Sequence, residues 1–428
     1  MKLDTGYLID PARNLAFMAL ALTVAIFVFA YSTRFGQVSI LAFYACWLPL
    51  LALRPGLFLP GLGRVAVLGL LPALALLSVI WSDLPAVSLR AAIQYATTVL
   101  AALIAARLAT PRSFAIGGMA GVIAVLAYSF LDGTYAYDVI DGSYAFQGAF
   151  SSKNQLGLFA SLGVVFAAAI LLLFPAGPLL SLAALGAVGM GIAALMLSRS
   201  TTSIITLIGT LGLITAARII VRLAAGHRRA AIALGLVMAL AMVPAIFLTG
   251  VFDGILAVFG KDTTLTGRTF LWREGILFGH EHPVRGLGYY AFWTHGRPLA
   301  EALWEVFYIT ARTGFHFHNT YIEVYVALGL VGLAAMLGFV AALLLLALRV
   351  LMNRHLTGEG IFCAGLAVMF TVRSLVEIDF FTPYTVGAFV VFYCALQMAD
   401  QRALEGELVQ RRAARARRAA QRLRAATV

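Results

Sequence analysis

Residues 315–350 read FHFHNTYIEVYVALGLVGLAAMLGFVAALLLLALRV. Two histidines and an asparagine stand directly before a run that turns apolar and stays so for some thirty residues. A hydrocarbon core of about 30 Å takes roughly 17 to 25 helical residues to cross, so the apolar part is long enough for a span with residues to spare. Working outward, about twelve such runs follow one another, near 14–31, 38–53, 64–81, 86–107, 114–131, 155–174, 178–198, 203–222, 230–249, 320–350, 358–376 and 383–400. Of the 428 residues, 62% are hydrophobic and 12% charged, and the mean hydropathy is +0.93. That balance excludes a soluble globular domain and points to an integral membrane protein. The runs lack the two-residue alternation of membrane β-barrels. The expected fold is therefore all-α, a polytopic bundle of about 12 transmembrane helices filling residues 1–400, with a basic tail at 401–428. No cleavable leader is expected, because the first apolar run is not followed by a small-residue cleavage pattern.

Basic residues orient the bundle. Most of the 31 Lys and Arg fall on the side that carries Arg13, Arg54, Arg64, Arg107, Arg112, Arg218, Arg222 and the tail, whereas most acidic residues fall on the other. The positive-inside rule then places both termini in the cytoplasm. Two loops are left outside, 132–154 and the long 250–317 between the ninth and tenth spans. The second is rich in Trp, Phe, Tyr and glycine turns, a composition suited to folded structure rather than disorder. The arginine-rich tail has no aromatic residue on which bases stack, so its expected contact is anionic membrane lipid and not nucleic acid. Cys46, Cys363 and Cys394 lie inside spans without metal-ligand spacing.

Five features gather on the external side: GAFSSKNQLG (148–157), LSRSTTS (197–203), TGRTFLWREG (266–275), HPVRGLGYYAF (282–292) and the opening stretch. Each has a plain reading. Arg199 would be an interfacial snorkeller, Arg268 a loop ion pair with Asp262 or Glu274. Together, several cations near the bilayer surface suit a lipid-borne di-anion, because guanidinium forks match phosphate oxygens. Thr320 and Glu323 fit a capping box at a helix start, which leaves His318 and Asn319 outside that structural task. A neutral imidazole there can take a proton from a hydroxyl. Arg90 and Arg373 fall inside spans, with Glu377 the expected partner of Arg373 at helical spacing four. His316 is assigned no role.

His318-Asn319, nine residues, then Gly329-Leu330-Val331-Gly332 resembles the His-Asn-x9-Gly-x-x-Gly pattern of the O-antigen ligase and Wzy-type polysaccharide polymerase superfamily. The other four features are similar to that family as well, through Gly148, Lys153, Asn154 and Gly157; Leu197 to Ser200; Gly267, Arg268 and Trp272; and Pro283, Gly286 and Gly288. The stretch LLSVIWSDLPAVSLRAAIQYATTVLAA (76–102) looks most like the exopolysaccharide-polymerase branch. The resemblance implies a GT-C-type, inverting, metal-independent glycosyltransferase of the bacterial inner membrane, with a periplasmic active site and no cofactor. It implies transfer of an undecaprenyl-diphosphate-linked glycan to the hydroxyl of another repeat unit or, in the ligase alternative, to lipid A core. Flippase and chain-length proteins are the expected partners. By the same resemblance His318 is the base and Arg199 and Arg268 hold the diphosphate, with Asn319, Lys153, Asn154 and Arg285 as substrate-binding auxiliaries. A lipid-linked glycan transporter would also have about twelve spans, but is expected to show mid-membrane polar residues and related halves. A metal hydrolase would draw on His280, His282, His295, His316 and His318, yet no His-Glu-x-x-His occurs.

Overall fold

The computed structural model describes residues 6–138, 142–249, 254, 267–353 and 357–401. The basic tail, Asp262 and nearly all of 250–266 lie outside these residues. Helices dominate. Seven are long and apolar enough to cross a membrane, and a bent pair, Leu62–Leu68 with Leu70–Ile80, makes eight if it is one span. The protein is thus a multi-pass membrane protein. The shorter apolar helices Gly358–Arg373 and Val386–Gln401 complete the C-terminal end.

Burial sorts the helices. Lys153–Leu172 has 78% of its apolar window inside the protein, whereas Pro178–Ser198 and Thr320–Leu351 have 28% each. The first is the central post and the other two are peripheral, with leucines such as Leu179 and Leu337 left for lipid. The glycines of Pro111–Asp132 let its neighbours in close: a Cβ on Gly117 or Gly121 would strike Leu22 or Ile26 of the first long helix.

The helical stretch Leu15–Leu53 covers 39 residues, about 58 Å if straight, nearly twice a hydrocarbon core. It departs from helical geometry at Tyr31 and Gly36, between the two apolar runs read from sequence, and Arg34 beside the break pairs with Asp132. On the opposite side, the Asp400 carboxylate takes both Arg64, at 2.9 Å, and Arg107. Residues assigned to one side by charge are therefore brought together on one side by the fold.

Two features were not foreseen. Within the 132–154 loop, Thr134–Asp138 (β1) and Ser143–Gly148 (β2) form an antiparallel hairpin, with Tyr135 opposite Phe146 and Tyr137 opposite Tyr144. The run read as one span at 320–350 is a helix that is not continuous. At Gly329, φ is 63° and ψ −159°, a conformation that a side chain would strain, and the helical ladder opens there. The freed groups find partners in the long loop that precedes the helix, at residues 283–288. Leu287 and Gly288 amides donate to the Val326 and Ala327 carbonyls at 3.1 and 2.9 Å, and Leu330 and Val331 amides donate to Pro283 and Val284 carbonyls at 2.8 and 3.2 Å. Backbone lies against backbone, since a Cβ on Gly329 would meet the Val284 carbonyl carbon at 2.3 Å. A helix broken inside a membrane protein needs such replacements, because unpaired amides in a dry setting cost several kcal/mol each.

The described part of the long loop, from Gly267 on, carries a core of its own. Leu271, Leu287, Phe292, Leu303, Trp304 and Phe317 pack together, and the helices Arg268–Gly279 and Pro298–Val306 enclose them. This module sits directly on the 320–351 helix. Gly275 and Gly279, one turn apart, lie where a Cβ would collide with Phe317, Ile322 and Tyr325, so the absence of side chains sets how closely the two helices approach.

Candidate active site

The start of the 320–351 helix is fixed by Asn319, not by Thr320. Asn319 takes an extended backbone, and its Oδ1 accepts from the Tyr321 and Ile322 amides at 3.0 and 3.1 Å. Asn is among the strongest N-caps because a short side chain brings an oxygen to the free amides. Thr320 is already inside the helix, and Glu323 reaches back to the Phe317 amide at 3.0 Å. The capping box expected from Thr320 and Glu323 is therefore wrong by one residue. Asn319 belongs to the structural task from which it had been excluded.

The same helix start is sewn to the segment after Gly358–Arg373. The Thr320 amide donates to the Ser374 carbonyl at 2.9 Å, Asn319 Nδ2 to the Leu375 carbonyl at 2.9 Å, and Thr320 Oγ1 to the Glu377 carbonyl at 2.7 Å. These bonds carry Glu377 to His318. Its Oε2 lies 3.1 Å from His318 Nδ1, and its Oε1 accepts from Arg268 Nη2 at 2.8 Å. Asn154 Nδ2 adds a longer bond to Oε1 at 3.4 Å, and Ser200 Oγ donates to Asn154 Oδ1 at 3.0 Å. One carboxylate thus gathers His318, Arg268 and Asn154, drawn from three separate stretches of chain, and through Asn154 it reaches Ser200, the neighbour in sequence of Arg199.

Glu377 is 7% exposed. Burial pushes its carboxyl up, but the Arg268 guanidinium and the His318 ring outweigh burial and hold it well below the usual carboxylate range. An ionised Glu377 accepts from Nδ1–H, which leaves His318 Nε2 as the free, proton-accepting nitrogen. The ring is 22% exposed, so it is held from behind and open in front. His318 also has φ 50°, a region costly for a residue with a Cβ and concentrated at functional sites.

His316 has a part after all. Its Nδ1 accepts from the His318 amide at 3.1 Å, and the two rings lie 4.2 Å apart. Burial, His318 and Arg268 push its pKa well below the ordinary histidine value, so it is neutral with its proton on Nε2. It serves to hold the strained backbone of His318.

Glu377 itself escaped the sequence reading, which had paired it with Arg373. Spacing four makes a pair only while the helix persists, and this one ends at Arg373. Arg373 turns instead to Asp379, with Nη2 to Oδ1 at 3.3 Å, and to Ser203 Oγ at 3.4 Å. The usable signal was that an acid in the external mouth of so apolar a chain needs a cationic partner. Of the two candidates weighed for Arg268, Glu274 goes to Arg273 instead, and Asp262 lies outside the described residues.

The remaining expected site residues are placed as follows. Arg199 caps its helix in the left-handed region, φ 50°, with its side chain exposed and, among the described residues, in no ion pair. Lys153 starts the central helix and is buried, its Nζ donating to Ser143 Oγ of β2 at 2.8 Å, which ties it to the hairpin. Arg285 is exposed, and its carbonyl accepts from Trp81 Nε1 at 2.8 Å.

Among the described residues, His316, His318 and Glu377 are the group whose nitrogen and oxygen atoms approach closely enough for a shared cation. Two of the three are already engaged, His316 Nδ1 by an amide and Glu377 by His318 and Arg268, which leaves His318 Nε2 as the free lone pair. A neighbouring guanidinium further disfavours a metal there.

Comparison with known proteins identifies the family. Residues 185–337, which include Arg199, Arg268 and His318, match the family model described as O-Antigen ligase. The chain is also 42% identical over 401 residues to the exopolysaccharide production protein ExoQ of Rhizobium meliloti (strain 1021), covering 92% of this chain and 91% of that one. A multi-pass helical bundle matched by this family model and, over nearly its whole length, by this relative, the chain belongs to the O-antigen ligase family.

Proposed function

We propose that this protein polymerises exopolysaccharide, transferring a glycan from undecaprenyl diphosphate to a hydroxyl of an acceptor repeat unit. The observation that carries the reading is Glu377 bridging His318 and Arg268. In the proposed step, His318 Nε2 takes the proton of the acceptor hydroxyl as its oxygen attacks the anomeric carbon. The bond from that carbon to the diphosphate oxygen breaks on the opposite face, so configuration inverts. The electron pair leaves with the lipid diphosphate, where Arg199 and Arg268 meet the growing charge. Glu377 fixes the ring and offsets the imidazolium that forms. Asn154 supports the carboxylate and Asn319 the helix start, with Lys153 and Arg285 flanking the site.

On this reading all twelve apolar stretches cross the bacterial inner membrane in a GT-C-type arrangement, both termini cytoplasmic and the site periplasmic. The chemistry needs no metal. The similarity to an exopolysaccharide production protein favours polymerase over transfer to lipid A core, with flippase and chain-length proteins as working partners. The lipid-linked products of a deletion strain test the reading. Accumulated single repeat units are expected; accumulated unattached polymer would assign the ligase reaction instead.

A further inference from the structure

A row of aromatic rings runs from the protein surface to His318. Phe315 lies against the His318 ring at 5.7 Å between centroids, Phe307 against Phe315 at 5.2 Å, and Phe270 against Phe307 at 6.4 Å. Phe270 is 37% exposed, Phe315 is half-buried, and Tyr308 beside Phe307 is 64% exposed. Tyr308 also holds φ 55°, a region costly for a residue with a Cβ.

The row belongs to the acceptor side of the reaction. It ends on the imidazole that takes the hydroxyl proton, not on the cations. Arg268 and Phe270 share a helix but stand two residues apart, about 200° around the axis, so one meets Glu377 while the other faces away. The module behind is rigid: Trp293 packs on both Phe315 and Phe317, at 5.2 and 4.9 Å. Apolar ring faces on a fixed frame suit the C–H faces of sugar rings, and they discriminate by shape with little loss of side-chain freedom.

We propose that Phe270 and Phe315, bridged by the buried Phe307 ring (9% exposed), form the acceptor-glycan subsite, packing against sugars so that the terminal hydroxyl is delivered to His318. This rests on the proposed transfer at His318. Its occupant is the repeat unit of the acceptor, and the length of the row means that sugars beyond the reacting one are read.

The test uses the full-length protein in nanodiscs with lipid-linked repeat unit extracted from a strain lacking the gene. Two acceptors are compared, the whole lipid-linked repeat and the methyl glycoside of its terminal sugar. Phe270→Ala is expected to raise the KM for the whole repeat about tenfold, leave kcat within twofold, and leave the methyl glycoside unaffected, because the monosaccharide does not reach the outer ring. Phe270→Trp should restore the KM. An unchanged KM for the whole repeat, or equal loss on both acceptors, overturns the subsite. Binding of the free repeat-unit oligosaccharide to His318→Ala protein separates this idea from the reaction itself. If His318→Ala still transfers, the base assignment fails, yet weaker binding in the Phe270→Ala, His318→Ala double variant would still support the subsite, and equal binding would end it.

Discussion

Replacing Glu377 by Gln removes one acceptor oxygen while keeping the shape of the side chain. In the wild type each carboxylate oxygen takes one charged or chargeable donor, Arg268 at 2.8 Å and His318 at 3.1 Å. An amide offers one oxygen and one NH2, so either His318 or Arg268 must face a donor. A charge-assisted bond in a buried setting is worth about 1.5–3 kcal/mol, or about 10- to 150-fold in rate at 1.4 kcal/mol per decade. If His318 is the loser, its ring is also free to turn or to place its proton on Nε2, and the loss approaches about 10⁴. The expected fall in kcat is therefore about 10- to 10⁴-fold in a transfer assay with lipid-linked repeat units, with normal abundance in the membrane. Glu377→Ala should behave differently, because Arg268, 13% exposed, is left without its partner. Breaking a buried pair this way costs about 3–5 kcal/mol, so that variant should also lose thermal stability in detergent. A Gln variant with kcat within threefold of wild type would refute the assignment of Glu377 as the residue that positions the base.

Other outcomes follow from the same geometry. His318→Ala should abolish polymer while leaving protein abundance normal, and near-normal product in cells would remove its role. Because the folded Glu377 carboxyl is held below its ordinary value, its stabilising contribution is complete above the unfolded pKa of about 4.3. It fades as pH falls through the lower folded value; melting curves at descending pH should show this in wild type and not in Glu377→Gln. Gly329→Ala forces a Cβ into the Val284 carbonyl at 2.3 Å and into an unfavourable φ. A melting temperature unchanged by that substitution would contradict the docked-loop account. Transfer in excess chelator should match the untreated rate, and a reversible loss restored by a divalent ion would reinstate a metal at His316, His318 and Glu377.

The bundle was legible because membrane spans are written locally. Each apolar run is its own signal, and the sidedness of Arg64, Arg107 and Asp400 follows from charge alone. Long-range pairing was not legible. Glu377 reaches His318 only because the chain after Arg373 folds back over the Asn319 cap, and nothing in a 59-residue separation announces that. The error at Thr320 has a narrower cause: Asn319 and Thr320 are both good capping residues, and local pattern alone does not rank the two. The break at Gly329 was hidden because a glycine in an apolar run reads as an ordinary small residue until another backbone is seen lying against it.

That docked loop bears on how relatives with different products could be recombined. The backbone groups opened at Gly329 and those of Pro283 to Gly288 satisfy one another, so neither half is complete without its mate. A chimera that exchanges the external module alone would leave a foreign loop facing a helix cut for a different one. Transplanted specificity should therefore require residues 267–332 as a single cassette, with the crossover points in the helices on either side and not in the loop that carries the sugar-facing rings.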